Sequence, residues 1–274
     1  MNSEQSKTRT IAVTSGKGGV GKTNVALNLA ISLRLLGGKV VLLDADMGMA
    51  NVDVLLGLSL RGNLRDVILG NASLEQVVID GPRGVKILPG ASGVEEMANL
   101  EDDRLSEFLE QLETFCADKD YLVVDTATGI SRVVINCLLG ADEIVLVTNA
   151  EPTALTDAYA LLKVYTKRAG RDGDKVFVVL NQCGSKEEAM QGFDRLRAAS
   201  GRFLGWEPQY LGSIAWDDTV SLATRQHVDF LTHYATAPCS QDIRKLAARL
   251  VSARHSGGTG PGRFFHRVMD PRDE

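Results

Sequence analysis

The chain has 274 residues, of which 44% are hydrophobic and 24% charged, the composition of an ordinary globular protein. Its net charge of -5 argues against bulk electrostatic binding to nucleic acid, although a local basic patch remains compatible with it. Met1 to Thr10 contains no apolar signal-peptide core, and no stretch approaches the roughly 18 apolar residues of a membrane span. These features together predict a cytoplasmic protein.

Short apolar runs alternate with helical patterns along the chain, which is typical of βαβ units. Strands are predicted at Thr10–Thr14, Val40–Asp44, Val85–Pro89, Tyr121–Asp125, Glu143–Thr148, Lys175–Asn181 and Tyr210–Ile214. Helices are predicted at Lys22–Leu36, Asp103–Cys116, Ala154–Ala169 and Lys186–Ala199. We therefore expect a single α/β domain, with a mostly parallel, twisted sheet of seven to eight strands flanked by helices. The four cysteines are widely spaced and predict buried, reduced thiols.

A glycine-rich segment, Ser15-Gly-Lys-Gly-Gly-Val-Gly-Lys-Thr23, follows the first predicted strand and opens the first predicted helix. In this context the Gly-x4-Gly-Lys-Thr pattern predicts a phosphate-binding loop, because glycines let successive N–H groups turn towards the phosphates. Lys22 is expected at the β- and γ-phosphates of ATP and the Thr23 hydroxyl at Mg²⁺. A turn that serves backbone geometry alone is the alternative. The predicted nucleotide-binding residues are Gly16, Lys17, Gly18, Gly19, Val20, Gly21, Lys22, Thr23 and Asn24.

Lys17 places a second cation in a loop where one lysine ordinarily serves. The run Lys-Gly-Gly-Val-Gly-Lys-Thr at 17–23 resembles the deviant Walker A motif of MinD, ParA and their relatives. The resemblance implies a MinD-like P-loop NTPase fold. It also implies an ATP-bound homodimer in which Lys17 reaches the partner subunit's nucleotide; a merely solvated lysine is the alternative.

Aspartates end the second and fourth predicted strands, at Asp44 and Asp125, and Asp46 comes just after the second. Carboxylates at strand ends beside a phosphate loop can hold Mg²⁺ or orient a water molecule. Asp46 matches the family's switch I aspartate, which positions the hydrolytic water, so Lys17, Lys22 and Asp46 are the predicted catalytic residues. Asp44 and Asp125, the latter in a Walker B pattern, are the predicted metal residues together with Thr23. Asn51 and Asp53 are predicted either to cap the next helix or to belong to the switch.

Three further segments match the family near the nucleotide. Gly129, in Thr126-Ala-Thr-Gly129, resembles the switch II glycine whose amide senses the γ-phosphate. Asn181 stands where the family uses an asparagine to bind adenine, and a cap at the strand end is the alternative. Ile214-Ala-Trp-Asp217 resembles the family's IPxD segment near the base, with Ala215 in place of proline.

Two longer runs, at 44–58 and 151–163, most resemble the flagellar-number regulators of the FlhG/FleN (YlxH) type. The resemblance implies an ATPase switch that regulates flagellar number or placement. The implied partners are an FlhF-type GTPase, a flagellar transcription activator or C-ring proteins. A MinD-like division-site role, a ParA-like DNA- or cargo-positioning role, and a nucleotide-dependent binding module without turnover remain alternatives.

The end of the chain departs from the βαβ pattern. Residues 1–9 are predicted to be a flexible N-terminus, 10–254 the ATPase domain, 255–262 a glycine-rich linker and 263–274 a short tail. Phe264, Phe265, Val268 and Met269 fall on one helical face, which predicts ATP-dependent peripheral contact with the inner membrane. Docking of the same face on the protein itself is the alternative.

Overall fold

A computed structural model describes residues 8–46, 52–90, 102–169, 175–253 and 260–268. An eight-stranded sheet forms the centre, with its strands in the order β3-β4-β2-β5-β1-β6-β7-β8. The strands are β1 Arg9–Ser15, β2 Val40–Ala45, β3 Ile79–Asp80, β4 Lys86–Leu88, β5 Tyr121–Thr128, β6 Glu143–Thr148, β7 Val176–Cys183 and β8 Gln209–Ala215. All neighbouring pairs are parallel except β3 with β4, so the predicted mostly parallel α/β sheet is confirmed.

All seven predicted strands are present, and their ends differ from the prediction by at most three residues. The two-residue β3 was not predicted, because so short a segment carries no recognisable alternation. The helices are α1 Lys22–Leu35, α2 Val52–Leu56, α3 Leu64–Ile68, α4 Leu74–Val77, α5 Asp102–Cys116, α6 Arg132–Gly140, α7 Pro152–Ala169, α8 Lys186–Leu204, α9 Asp218–Arg225, α10 Phe230–His233, α11 Pro238–Ser252 and α12 Pro261–Val268. A 3-10 turn, Pro82–Gly84, precedes β4.

Two apolar cores cover the sheet, one on each face. Alternate residues of β1 illustrate the division, since Ala12 belongs to one core and Ile11 and Val13 belong to the other. Helices α1, α10 and α11 contribute to one core, whereas α3 to α8 and α12 contribute to the other. Burial on both faces explains why the strands are continuous apolar runs.

The topology places a binding site at the carboxyl end of β1. The chain leaves β1 through α1 towards β2, on the side of β5, whereas the connection after β5 crosses to β6 on the other side of β1. In an open parallel sheet, such a reversal leaves a crevice at the carboxyl edge, where ligands bind. The glycine-rich loop occupies that position between β1 and α1.

The apolar face of the tail is docked on the protein in this structure, which is the second of the two sequence-based alternatives. Phe264 and Phe265 are buried, and Phe265 forms an edge-to-face contact with Phe108 of α5 at 6.0 Å between ring centroids. A Cβ added to Gly140 of α6 would lie 3.0 Å from the Cα of Phe264, so the glycine allows close approach. Val268 lies at the edge of the same contact, while Met269 falls outside the described residues.

The predicted boundary between linker and tail is wrong by two residues. Pro261 and Gly262 were assigned to the linker, but both are buried in the first turn of α12. Proline suits the first helical position, because an N–H group at that position would have no partner within the helix. Gly262 lies so close to the Glu113 carboxylate of α5 that a Cβ would overlap it.

The four cysteines are buried and free, as predicted. Burial raises the pKa of Cys116 and of Cys137 to about 12, so neither thiol forms a reactive thiolate at neutral pH. Among the described residues, no helix is both long and apolar enough to cross a bilayer.

Candidate nucleotide-binding site

The glycine-rich loop leaves backbone donors at the start of α1. Gly21, at φ +84°, is the N-cap of this helix and provides no side-chain hydrogen bond to the first turn. The first N–H groups of a helix have no partner within it, and together with the helix dipole they bind anions. The loop can therefore bind phosphate through Lys22, Thr23 and Asn24 and the glycines before them.

Close packing explains two of the glycines. A Cβ on Gly16 would lie 2.3 Å from the backbone of Asp157, because α7 crosses directly over the loop. A Cβ on Gly21 would lie 2.4 Å from the side-chain nitrogen of Asn181. The loop is thus held between α7 and the end of β7, and its shape is set before any ligand arrives.

Lys22 and Asp125 form a buried ion pair. The lysine Nζ lies 2.6 Å from Asp125 Oδ1, and both side chains are almost fully buried. Burial raises the pKa of Asp125 to about 6; the Lys22 ammonium opposes this rise and the charge of Asp44 adds to it. Binding of a triphosphate requires Lys22 to exchange the carboxylate for phosphate oxygens, which frees Asp125 for another cation.

The carboxylates at the strand ends fit a magnesium ion. Asp44 and Asp125 are paired in register on β2 and β5, and the Thr23 hydroxyl is close enough to oppose the rise in the pKa of Asp125. Asp125 Oδ2 is fully buried without a hydrogen-bond partner among the described residues, as suits an atom that binds a metal-bound water. No group of three or more His, Cys, Asp or Glu in the described part of the chain could hold a metal. This arrangement matches Mg²⁺, which takes one or two carboxylates and completes its shell with water and phosphate.

Asp46 lines the same cavity as Lys22 and Thr23. Its N–H donates to Asp44 Oδ1 at 3.1 Å, and Asp44 Oδ2 accepts from Val52 N at 3.1 Å. The Asp44 carboxylate therefore accepts a hydrogen bond from the residue on each side of 47–51. Residues 47–51, including Asn51, lie outside the described part, while Asp53 accepts a hydrogen bond from Val54 N in the first turn of α2.

The amide of Gly129 is not an available donor for a phosphate, because it already donates to the first residue of the glycine-rich segment. Strand β5 continues to Thr128, and the Gly129 N–H donates to the Ser15 carbonyl at 2.9 Å. The extension follows from β-branched Thr126 and Thr128, which favour extended backbone. The predicted contact of this amide with a γ-phosphate would require that hydrogen bond to break.

Lys17 lies outside its own cavity. Its Nζ contacts Glu151 Oε2 at 3.1 Å and Thr153 Oγ1 at 2.9 Å, at the start of α7. The side chains of Lys17 and Glu151 are 37% and 61% exposed, so water screens the pair. In this structure Lys17 thus contacts the start of α7 and does not line the cavity of its own subunit.

Asn181 is tied to the phosphate loop. Its Nδ2 donates to the Val20 carbonyl at 2.8 Å, so the side chain does not form a simple cap at the strand end. The neighbouring Gln182 has φ +58° and its Nε2 lies 3.3 Å from the Gly19 carbonyl, a contact that the sequence did not reveal. Trp216, within the segment that resembles IPxD, also lines the cavity, and so does Arg225, which the sequence did not reveal.

The similarity to known proteins covers most of the chain. A family model described as an AAA domain matches residues 8–172. The antiactivator FleN of Pseudomonas aeruginosa is 44% identical over 88% of this chain and 86% of its own length. The flagellum site-determining protein YlxH of Helicobacter pylori is 34% identical over 96% of this chain and 90% of its own. Among solved structures, MinD of Pyrococcus horikoshii complexed with Mg-ADP is 29% identical over 89% of this chain and 96% of its own, with a TM-score of 0.70. The chain belongs to the MinD/ParA class of P-loop ATPases, in the FlhG/FleN (YlxH) subgroup.

Proposed function

We propose that this protein is an ATP-dependent dimerising switch that regulates the number or placement of flagella. The position of Lys17 carries the dimer proposal. Its ammonium lies at the surface beside the loop, where its contacts among the described residues are an exposed ion pair and a threonine hydroxyl. Exchanging this weak contact for a partner subunit's phosphates costs little, because exposed ion pairs stabilise by about 1 kcal/mol or less.

The geometry around the loop supports the following hydrolytic roles. Lys22 would leave Asp125 to bind the β- and γ-phosphates, and Thr23, Asp44 and Asp125 would hold Mg²⁺ directly or through water. A bound Mg²⁺ would supply positive charge against the charge that develops on the phosphates. Asp46, at the end of β2, orients the attacking water, and Lys17 from the partner subunit adds positive charge at the transferred phosphate.

The names of the relatives favour the flagellar task. FleN is described as an antiactivator, so a flagellar transcription activator is the first partner to test, before an FlhF-type GTPase or C-ring proteins. We also propose that the dimer binds the inner membrane peripherally through Phe264, Phe265, Val268 and Met269. This contact requires α12 to leave its docking site, because three of these residues are buried there.

Light scattering of purified protein with Mg·ATP or Mg·ADP tests the switch. Asp46→Ala should bind ATP, fail to hydrolyse it and remain dimeric, whereas Lys17→Gln should bind ADP normally and stay monomeric with ATP. A monomeric Asp46→Ala protein at saturating ATP would refute the dimer. Counting flagella by electron microscopy in cells that carry each variant tests the biological task.

A further inference from the structure

The nucleotide cavity has a volume of about 770 Å³ and extends from the phosphate loop to the ends of β7 and β8. Asp44 and Asp125 lie at the carboxyl ends of β2 and β5, and Asp46 directly follows β2; both strands lie on one side of β1. Because Mg²⁺ would bind between these carboxylates and the terminal phosphates, the ribose and base would extend to the other side. The cavity residues on that side come from the ends of β7 and β8 and from the segment after β8, and they include Asn181, Gln182, Ala215, Trp216 and Asp217.

Trp216 combines a fixed backbone with an exposed side chain at this end of the cavity. Its N–H donates to the Cys183 carbonyl at 2.8 Å, two residues after Asn181. The next residue, Asp217, accepts hydrogen bonds from Thr219 N at 3.0 Å and from Cys239 N at 3.4 Å. The indole itself is 63% exposed. A large aromatic ring exposed on a rigid backbone at the mouth of a pocket is suited to cover an aromatic ligand.

The hydrogen-bonding groups around Trp216 favour a purine base as that ligand. Asn181 Nδ2 uses one proton for the Val20 carbonyl, and its amide can still donate and accept in the plane of a base. A stacking surface and an edge-binding amide are the two elements with which proteins hold unpaired bases.

We propose that Trp216 stacks on the base of the bound nucleotide and thereby sets much of the affinity for ADP and ATP. This rests on the proposed nucleotide-binding function and extends it to a residue that touches the base rather than the phosphates. The hydrogen bonds to Cys183 and Cys239 restrain the backbone at Trp216 and Asp217, so stacking needs a side-chain rotation at most and no rearrangement of the strand.

Calorimetry with two ligands and two matched variants tests this assignment. Mg·ADP contains the base, Mg·pyrophosphate does not, and neither carries a γ-phosphate that could drive dimerisation. Trp216→Ala should raise the Kd for ADP roughly 10-fold, within the roughly 5- to 150-fold range of aromatic–base stacking, and leave the Kd for pyrophosphate unchanged. Trp216→Phe should recover most of the affinity. Phe203→Ala removes an aromatic side chain of similar exposure, 65%, outside the cavity, and should change neither Kd.

Fluorescence supplies an independent measurement, because the chain has only two tryptophans. Trp206 donates to Thr166 Oγ1 at 2.9 Å and does not line the cavity, so Trp206→Phe isolates the signal of Trp216. ADP should quench this signal and pyrophosphate should not. Equal ADP affinity in wild type and Trp216→Ala would overturn the stacking proposal, as would equal quenching by both ligands. Failure of the wild type to bind ADP at all would instead refute the proposed function.

Discussion

Glu151→Gln removes the charge that holds Lys17 on its own subunit and should therefore favour the ATP-bound dimer. The pair is 3.1 Å long with side chains 37% and 61% exposed, so it stabilises the free subunit by roughly 0.2–1 kcal/mol. Two such pairs break when a wild-type dimer forms. In Glu151→Gln both pairs are already absent, so the free-energy cost of association is lower by roughly 0.4–2 kcal/mol. The dimer dissociation constant with Mg·ATP should fall by about 2- to 30-fold.

Sedimentation equilibrium of an Asp46→Ala background with Mg·ATP would measure this constant without interference from hydrolysis. Asp118→Asn provides a control, because Asp118, like Glu151 61% exposed, pairs with Lys39 at 3.2 Å and with Lys119, away from the cavity. The control should leave the constant unchanged. A weaker dimer in Glu151→Gln would refute this reasoning and show that Glu151 contributes to the interface itself.

Three further outcomes follow from packing and charge. Gly16→Ala should lower the unfolding free energy by roughly 1–3 kcal/mol in chemical denaturation, because its Cβ overlaps the Asp157 backbone, whereas Gly18→Ala, with no atom within 4 Å of the added Cβ, should not. Phe264→Ala should cost up to about 3–5 kcal/mol and expose residues 261–268 to limited proteolysis; unchanged cleavage would contradict the docked tail. Asp125, with a folded pKa of about 6 against roughly 4 when unfolded, should contribute less to stability as pH rises from about 4 to about 6 in ligand-free protein. The Tm difference between wild type and Asp125→Asn should therefore fall across that range, and a constant difference would contradict the pKa assignment.

The sequence alone predicted the features that depend on local pattern. Buried parallel strands are continuous apolar runs, so seven of the eight strands were found, and the phosphate loop was recognisable because its spacing and its strand–helix context are both local. Asp44 and Asp125 were correctly expected beside the loop, since parallel strands end at the same edge of a sheet.

Tertiary structure decided the contacts between residues far apart in the chain. The sequence could not pair Lys22 with Asp125 or Lys17 with Glu151, because residues more than 100 positions apart meet only once the strand order is set. Nor could it decide whether the apolar tail face is exposed: amphipathic periodicity is the same for a helix that binds lipid and for one that docks on α5 and α6. The groove that accepts Phe264 and Phe265 exists only after those two helices pack on the sheet.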